Sequence, residues 1–149
     1  MKKLKTIFAA AALLVATSAF AASGPEKVSP TVKAAFEKNF GGVEHVNWQV
    51  SEDFYFATFI LNSKETSVAY NDRGELVGTC RAIVATQLPL NVSLALSNKY
   101  GAYTVSKTAT ELTYDGETSY SVTAENGKQI LKLKCYGNGS IVIDNKIKK

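Results

Sequence analysis

The 149-residue chain is poor in the side chains on which most catalytic and metal sites depend. It has one histidine, His45, and two cysteines, Cys80 and Cys135. A structural zinc site takes about four Cys or His ligands, so we expect no metal and no cofactor. His45 follows Glu44 in a short loop and is better interpreted as a solvated surface residue than as a general base. With no nucleophile paired to a base, the chain is predicted not to be an enzyme.

Two cysteines are also too few for a disulfide scaffold. An oxidising compartment would permit a disulfide between Cys80 and Cys135. Free buried cysteine is equally common as a small core residue. The sequence alone leaves both interpretations open.

Long apolar runs are missing beyond the N-terminus. Lys2, Lys3 and Lys5 precede the uncharged stretch 6–22, which closes on the small-x-small pattern Ala19-Phe20-Ala21 of a signal-peptidase site. Its apolar core is shorter than the roughly 20 residues that a membrane-spanning helix needs. Residues 1–22 are therefore predicted to be a cleaved signal peptide, and the mature chain to be a bacterial periplasmic or secreted protein with no integral membrane segment.

Charge of one sign is also lacking once the signal peptide is removed. The whole chain has 17 Lys and Arg against 13 Asp and Glu, and three of the basic residues lie in the signal peptide. The remaining 14 against 13 leave a net charge near zero, which argues against a nucleic acid or an anionic membrane as partner. No Pro-, Gly- or Ser-rich linker divides residues 23–149, so we expect a single domain.

An internal repeat is the most informative feature of the mature chain. Segments VKAAFEKNFG and VSLALSNKYG are 60 positions apart. Their matched apolar residues recur at three- and four-residue steps, which indicates the buried stripe of an amphipathic helix. Ser29 and Pro30 are predicted to open the first helix, and Pro89 the second. The matched pairs are Val28 and Leu88, Val32 and Val92, Ala35 and Ala95, Phe36 and Leu96, Phe40 and Tyr100, and Gly41 and Gly101.

After each helix the period of the apolar residues changes from 3.6 to 2, which predicts strands. Asp72-Arg73-Gly74 and Asn126-Gly127 are hairpin turn signals. The predicted strands are 45–50, 54–61, 65–71 and 76–84, then 103–110, 117–125, 128–136 and 140–147. The chain thus reads as a tandem αββββ repeat over about 27–84 and 87–147, an α+β fold in which helices cover one face of an antiparallel sheet.

The order of these elements resembles the PepSY-like, β-lactamase-inhibitor-like (BLIP-like) exported proteins of Bacteroidetes. The resemblance covers the mature chain and implies a curved antiparallel sheet whose uncovered face grips a partner, as in β-lactamase inhibitors. PepSY domains are associated with protease propeptides and inhibition. The residues that carry it are Val32, Ala35, Phe36 and Phe40, then Val46 and Trp48, Tyr55, Ala57 and Phe59, Asp72 and Gly74, and Leu88-Pro89.

Alternation along each strand assigns the side chains to two faces. The first repeat is predicted to place Tyr55, Ala57 and Phe59 under its helix, and the second Tyr120, Val122, Ala124, Leu131, Leu133 and Cys135. In the fourth strand Leu76, Gly78, Cys80 and Ala82 are assigned inward and Val77, Thr79, Arg81 and Ile83 outward, because an arginine is hard to bury. The uncovered face then carries the candidate interaction residues Phe54, Phe56, Ile60, Arg81, Lys132, Lys134 and Tyr136.

An exposed apolar patch with a polar rim is typical of an interaction site. The sequence therefore favours a non-catalytic periplasmic binding module, with inhibition of an enzyme as one form of that activity and an envelope protein or peptide as partner. The alternative is a periplasmic small-ligand or envelope-stress binding protein. A face assignment that is off by one residue, or an N-terminal tail or dimer partner over these rings, would remove the patch.

Overall fold

The computed structural model describes residues 27–52 and 54–149, so the predicted signal peptide at 1–22 lies outside the described residues. The elements are α1 Pro30–Phe40, β1 Asn47–Ser51, β2 Phe54–Leu61, β3 Lys64–Asn71, β4 Leu76–Val84, a 3-10 turn Ala85–Gln87, α2 Leu90–Tyr100, β5 Thr104–Tyr114, β6 Glu117–Glu125, β7 Gln129–Tyr136 and β8 Ile141–Lys148.

The strands form an eight-stranded sheet in the order β1 to β8. The pairs β1–β2, β2–β3, β5–β6, β6–β7 and β7–β8 are antiparallel. The predicted α+β class and tandem αββββ order are confirmed. The chain divides into two compact units, of which the first ends at Cys80 and the second begins at Arg81.

Helix α1 begins and ends where the sequence predicts. The Ser29 hydroxyl accepts a hydrogen bond from the Val32 N–H at 3.3 Å, and Pro30 occupies the first helical position. Helix α2 has no side-chain cap of this kind, because Pro89 stands at the N-cap. A Cβ on Gly41 would lie 2.8 Å from the Glu37 carbonyl oxygen, so a glycine is needed at this helix end.

An aromatic cluster fills the core of the first unit. Phe36 on α1 packs edge-on against Trp48 and Phe59, with ring centroids 5.1 and 5.2 Å apart. Phe59 also contacts Phe40 at 5.0 Å. Tyr70 closes the cluster and accepts a hydrogen bond from the Asn39 amide nitrogen at 3.0 Å. Ring pairs of this geometry stabilise a core beyond the area they bury.

The core of the second unit occupies the same place between helix and strands with fewer rings. Val92 and Leu96 of α2 pack over β6 and β7. The residues predicted to face inward on these strands are all buried: Tyr120, Val122, Ala124, Leu131, Leu133 and Cys135.

The hairpin turns after β3 and β7 repeat one tertiary contact. Gly74 and Gly139 both have positive φ, 75° and 88°. Each lies against the first turn of its unit's helix: a Cβ on Gly74 would meet the Thr31 carbonyl oxygen at 3.1 Å, and one on Gly139 would meet that of Asn91 at 3.0 Å. Glycine is therefore required for both reasons, conformation and close approach.

These glycines show that the repeat has two offsets. The helices match at 60 residues, but the strands after them match at 65, since Tyr55↔Tyr70 corresponds in register to Tyr120↔Cys135. The difference arises in β5, which is longer than β1 and has a register shift between Val105 and Ala109. The predicted end of this strand at residue 110 is therefore wrong: β5 continues to residue 114.

Candidate functional site: the uncovered strand faces

In the first unit, β1 to β3 place a mixed row of side chains on the face opposite α1. Phe54, Phe56 and Ile60 alternate with the core residues of β2 and therefore share this face, as predicted. We call them, with Thr58, the first-unit open face. The Thr58 and Ser67 hydroxyls hydrogen-bond across the β2–β3 pair at 2.8 Å.

Exposure along this face differs from the expected patch of accessible rings. Ile60 is 59% exposed, Phe54 is half-buried, and Phe56 is only 8% exposed. Phe56 lies in the middle of a central strand, where Gln49 and Ala69 flank it from both neighbours, whereas Ile60 lies near a strand end. The prediction that Phe56 is an exposed contact residue is wrong.

In the second unit, the side of β6 and β7 that points away from α2 is polar and cationic. Lys132, Lys134 and Tyr136 alternate with buried Leu131, Leu133 and Cys135. We call the three residues, with their partners on β6, the second-unit open face. The Lys134 ammonium lies 5.5 Å from the centroid of the Tyr136 ring. The cross-strand partners are Ser119 for Tyr136, Ser121 for Lys134 and Thr123 for Lys132.

Arg81 does not belong to this face. Its guanidinium donates to the Glu111 carboxylate at 2.7 Å, and Glu111 stands opposite Tyr120 of the core. Burial raises the pKa of Tyr120, the Glu111 charge raises it further, and the Arg81 charge lowers it. These effects also indicate that the three groups are close together. Ile83, two residues on, is in the core cluster. The predicted outward assignment of Arg81 and Ile83 is wrong.

The physical reason is an ion pair that the sequence does not display. Arg81 is partly exposed at the rim of the helix-covered face. Its guanidinium can therefore pair with Glu111 and still remain hydrated. Leu76 and Ala82, which were assigned inward, are exposed. Cys80 points to the side opposite Arg81 by alternation, and it is 4% exposed yet belongs to neither helix-covered cluster.

Both cysteines are free thiols rather than a disulfide. Cys135 is buried in the core of the second unit, and Cys80 is buried in β4 of the first unit. Burial raises the pKa of each thiol to about 11, and for Cys80 the charge of Glu65 adds to the effect. Neither thiol is ionised at neutral pH, so neither is an activated nucleophile.

Across residues 27–52 and 54–149, no three His, Cys, Asp or Glu side chains come close enough together to hold a metal ion. Within the same residues no helix is long and apolar enough to cross a membrane. His45 is exposed and has a positive φ of 56° in the loop before β1.

A cavity of about 320 Å³ lies in the second unit, beside α2 and the start of β5. Leu88 and Leu96 form its buried wall, and Tyr100 and Tyr103 stack edge to face at its side with centroids 5.8 Å apart. The Tyr103 hydroxyl accepts a hydrogen bond from the Gln129 amide nitrogen. None of these residues was predicted as a site, and the signal in the sequence was the pair Ser93 and Ser97, which stand where the first helix has the charged Lys33 and Glu37. The lining residues are Ala85, Leu88, Ser93, Leu96, Ser97, Tyr100, Gly101, Tyr103 and Val105.

An antiparallel sheet of eight strands with a helix ahead of each group of four defines an α+β protein of the tandem αββββ class. None of the protein-family models searched matches the chain, and no curated protein matches it. Several solved structures do match the chain. A BLIP-like protein of Bacteroides fragilis has 21% sequence identity and a TM-score of 0.66, over 85% of this chain and 91% of that one.

Two further Bacteroides structures are similar. A DUF2874 family protein of Bacteroides uniformis has 19% identity and a TM-score of 0.67, over 81% of this chain and 89% of that one. A Bacteroides eggerthii protein, provisionally described as periplasmic, has 14% identity and a TM-score of 0.68, over 81% and 88%. The chain therefore has the BLIP-like fold of Bacteroides proteins, which confirms that part of the resemblance. The PepSY-like part stays a prediction.

Proposed function

We propose that this chain is an exported, non-catalytic binding module of the bacterial envelope that captures a protein or peptide on the open faces of its strands. The observation that carries the proposal is the difference between the two faces of the strands within each unit. One face of the strands is sealed by the helix, while the other presents Ile60 in the first unit and Lys132, Lys134 and Tyr136 in the second.

The second-unit open face favours an acidic partner. Residues 81–149 contain nine basic and five acidic residues, whereas residues 23–80 contain five basic and eight acidic. On the open face itself, Lys132 and Lys134 stand beside serine and threonine hydroxyls. Lysine ammonium groups next to hydroxyl donors suit carboxylate groups, and Tyr136 adds the aromatic contact that interfaces favour.

Capture from the native envelope by chemical cross-linking tests the proposal. The protein serves as bait alongside two variants, Ile60→Ser and the double variant Lys132→Glu/Lys134→Glu. We expect each variant to lose at least one partner that the unaltered protein captures. The loss in the double variant should be matched by a weakening of the unaltered complex at high salt, because exposed charges are screened.

Matched controls come from α2, on the other side of the strands. Leu94 is 52% exposed and Lys99 lies in the last helical turn, so Leu94→Ser and Lys99→Glu repeat the same chemical changes away from the open faces. Partners that survive every variant, or that are lost equally with the α2 controls, would contradict the proposal. If a captured partner is an enzyme, its inhibition by the purified protein tests the inhibitor-like role.

Small-ligand binding is the second candidate function. The 320 Å³ cavity of the second unit favours it, and that cavity lies beside α2 rather than on either open face.

A further inference from the structure

We infer that the cavity of the second unit is a binding pocket for a small, neutral aromatic molecule. The inference is independent of the proposed capture of a protein by the open faces. It depends on a comparison of the two cores, position by position, under the offsets of 60 for the helices and 65 for the strands.

The second core has lost aromatic rings that the first core keeps. On the helix, Leu96 stands where the first unit has Phe36, and on β6 Ala124 stands where β2 has Phe59. The register gives two more losses, since Trp48 faces Ala57 as Ala109 faces Val122, and Tyr70 corresponds to Cys135. The gains are one ring, Tyr103 in place of Val43 after the helix, and aliphatic additions such as Leu131 in place of Thr66.

The missing Phe59 ring locates the space. In the first unit that ring lies between Phe36 and Phe40, with centroids 5.2 and 5.0 Å away. The corresponding helix residues, Leu96 and Tyr100, both line the cavity. So does Val105, the cross-strand partner of Ala124. Three lining residues are thus counterparts or cross-strand neighbours of positions around that ring, while Ala124 itself is fully buried and does not line the cavity.

The lining selects the chemistry of the occupant. Every described residue around the cavity is uncharged, and Ser93 and Ser97 replace the charged Lys33 and Glu37 of the first helix. An ionised ligand would lose its hydration without a counter-charge. The Tyr100 and Tyr103 rings favour an aromatic guest by edge-to-face contact, and the serine hydroxyls at the more exposed side can satisfy one polar group.

The volume of the cavity is consistent with an occupant of one or two rings. Natural ligand pockets begin at about 300 Å³, and an apolar cavity of about 150 Å³ already accepts benzene. Benzyl alcohol and indole are therefore suitable probes, since each joins a neutral ring to one hydrogen-bonding group. Cyclohexylmethanol and benzoate are matched comparators, the first without aromaticity and the second with a charge.

Titration of the purified protein by calorimetry and by amide NMR tests the pocket. We expect benzyl alcohol and indole to bind, with shifts concentrated at Ser97, Tyr100, Tyr103 and Val105, and cyclohexylmethanol and benzoate to bind more weakly. Ala124→Phe restores the ring of the first unit and should reduce the affinity by about tenfold or more, as expected when a pocket loses its volume.

Two further variants keep the test decisive. Ser93→Phe blocks the cavity from the helix side and should also remove binding if Ala124→Phe does not fold. Leu94→Phe adds a ring to the side of α2 where residue 94 is 52% exposed and does not line the cavity, and should leave binding unchanged. The inference is overturned if neither probe shifts these amides at its solubility limit, if binding survives in every folded plugged variant, or if benzoate or cyclohexylmethanol binds best.

Discussion

At the scale of single residues, the glycines of the hairpin turns separate two costs of adding a side chain. One is the strain of a positive φ, and the other is the steric contact of the new Cβ with a neighbour. Gly139 has a positive φ and a close neighbour, Gly116 has a positive φ with nothing within 4 Å, and Gly127 has neither constraint. We expect substitution by alanine to cost about 2–3 kcal/mol of unfolding free energy at Gly139, about 1 kcal/mol at Gly116, and less than about 0.5 kcal/mol at Gly127. Urea unfolding of the three variants measures the series.

The same series contains its own check. If Gly116→Ala costs as much as Gly139→Ala, the contact with the Asn91 carbonyl contributes nothing. Gly74 meets the Thr31 carbonyl oxygen in the first unit in the same way, so Gly74→Ala should cost about as much as Gly139→Ala.

The buried Cys135 thiol predicts a stability that depends on alkaline pH. Burial raises the pKa of Cys135 from about 9 to about 11. Above pH 9 the unfolded chain releases this proton while the folded chain keeps it, so the contribution of the thiol is complete below about pH 9 and is lost as the pH rises towards 11. The stability advantage of the unaltered protein over Cys135→Ala should therefore shrink between these pH values.

Urea unfolding at pH 6, 8 and 10 measures this advantage, with the comparison of pH 6 and 8 as the control, where it should stay constant. A difference between the two proteins that is the same at all three pH values would contradict the assignment.

At the scale of secondary structure, the helices could be predicted because local chemistry determines them. The Ser29 cap, Pro30 and the stripe of Val32 and Phe36 all lie within one segment, and the structure buries that stripe as expected. The faces of β2, β6 and β7 also followed from strict alternation.

Strand β4 could not be predicted in the same way, because its faces depend on a residue 30 positions away. Arg81 is compatible with the helix-covered face only because Glu111 lies on the neighbouring part of the second unit. Because Arg81 lies on the helix-covered side, Cys80 lies on the side opposite to the predicted one, and alternation along β2 does not reveal the low exposure of Phe56. The general tendency of an arginine to be exposed says nothing about such partners.

The turn between β2 and β3 is strained, and this yields a prediction for the hairpin. Asn62 and Ser63 both have positive φ, 51° and 61°, the conformation for which Asn-Gly is the favoured sequence. Ser63→Gly should therefore raise the free energy of unfolding by about 0.5–1 kcal/mol, since a left-handed conformation costs a non-glycine residue more than the added backbone entropy costs glycine.

Thermal and urea unfolding of Ser63→Gly provide the measurement. Ser121→Gly is the control: in the middle of β6 the same change should lower stability by a similar amount. Destabilisation by Ser63→Gly would show that the serine side chain contributes more than the strain costs.

At the scale of the whole molecule, the two units share one order of helix and strands but differ in their side chains in two places. On the open faces, apolar Phe54 and Ile60 correspond to Ser119 and Glu125. In the cores, the rings around Phe36 correspond to aliphatic and small residues. The first change gives the two units different open faces, and the second accompanies the cavity beside α2 in the second unit.

If ring loss created the cavity, then the reverse experiment should reproduce it in the first unit. Phe59→Ala removes the ring held by Phe36 and Phe40, so it should cost about 3–5 kcal/mol of unfolding free energy and should let benzyl alcohol bind the first unit. Trp48, the sole tryptophan of the sequence, lies in this core, and its fluorescence reports both unfolding in urea and entry of the probe.

The control is Ile60→Ala, a change at the next residue, which lies on the opposite face. It should change stability by less than about 0.5 kcal/mol and leave Trp48 fluorescence unaffected. A loss below about 1 kcal/mol for Phe59→Ala would mean that the helix collapses onto the strands when a ring is removed, and the aliphatic core of the second unit would then need a different explanation for its cavity.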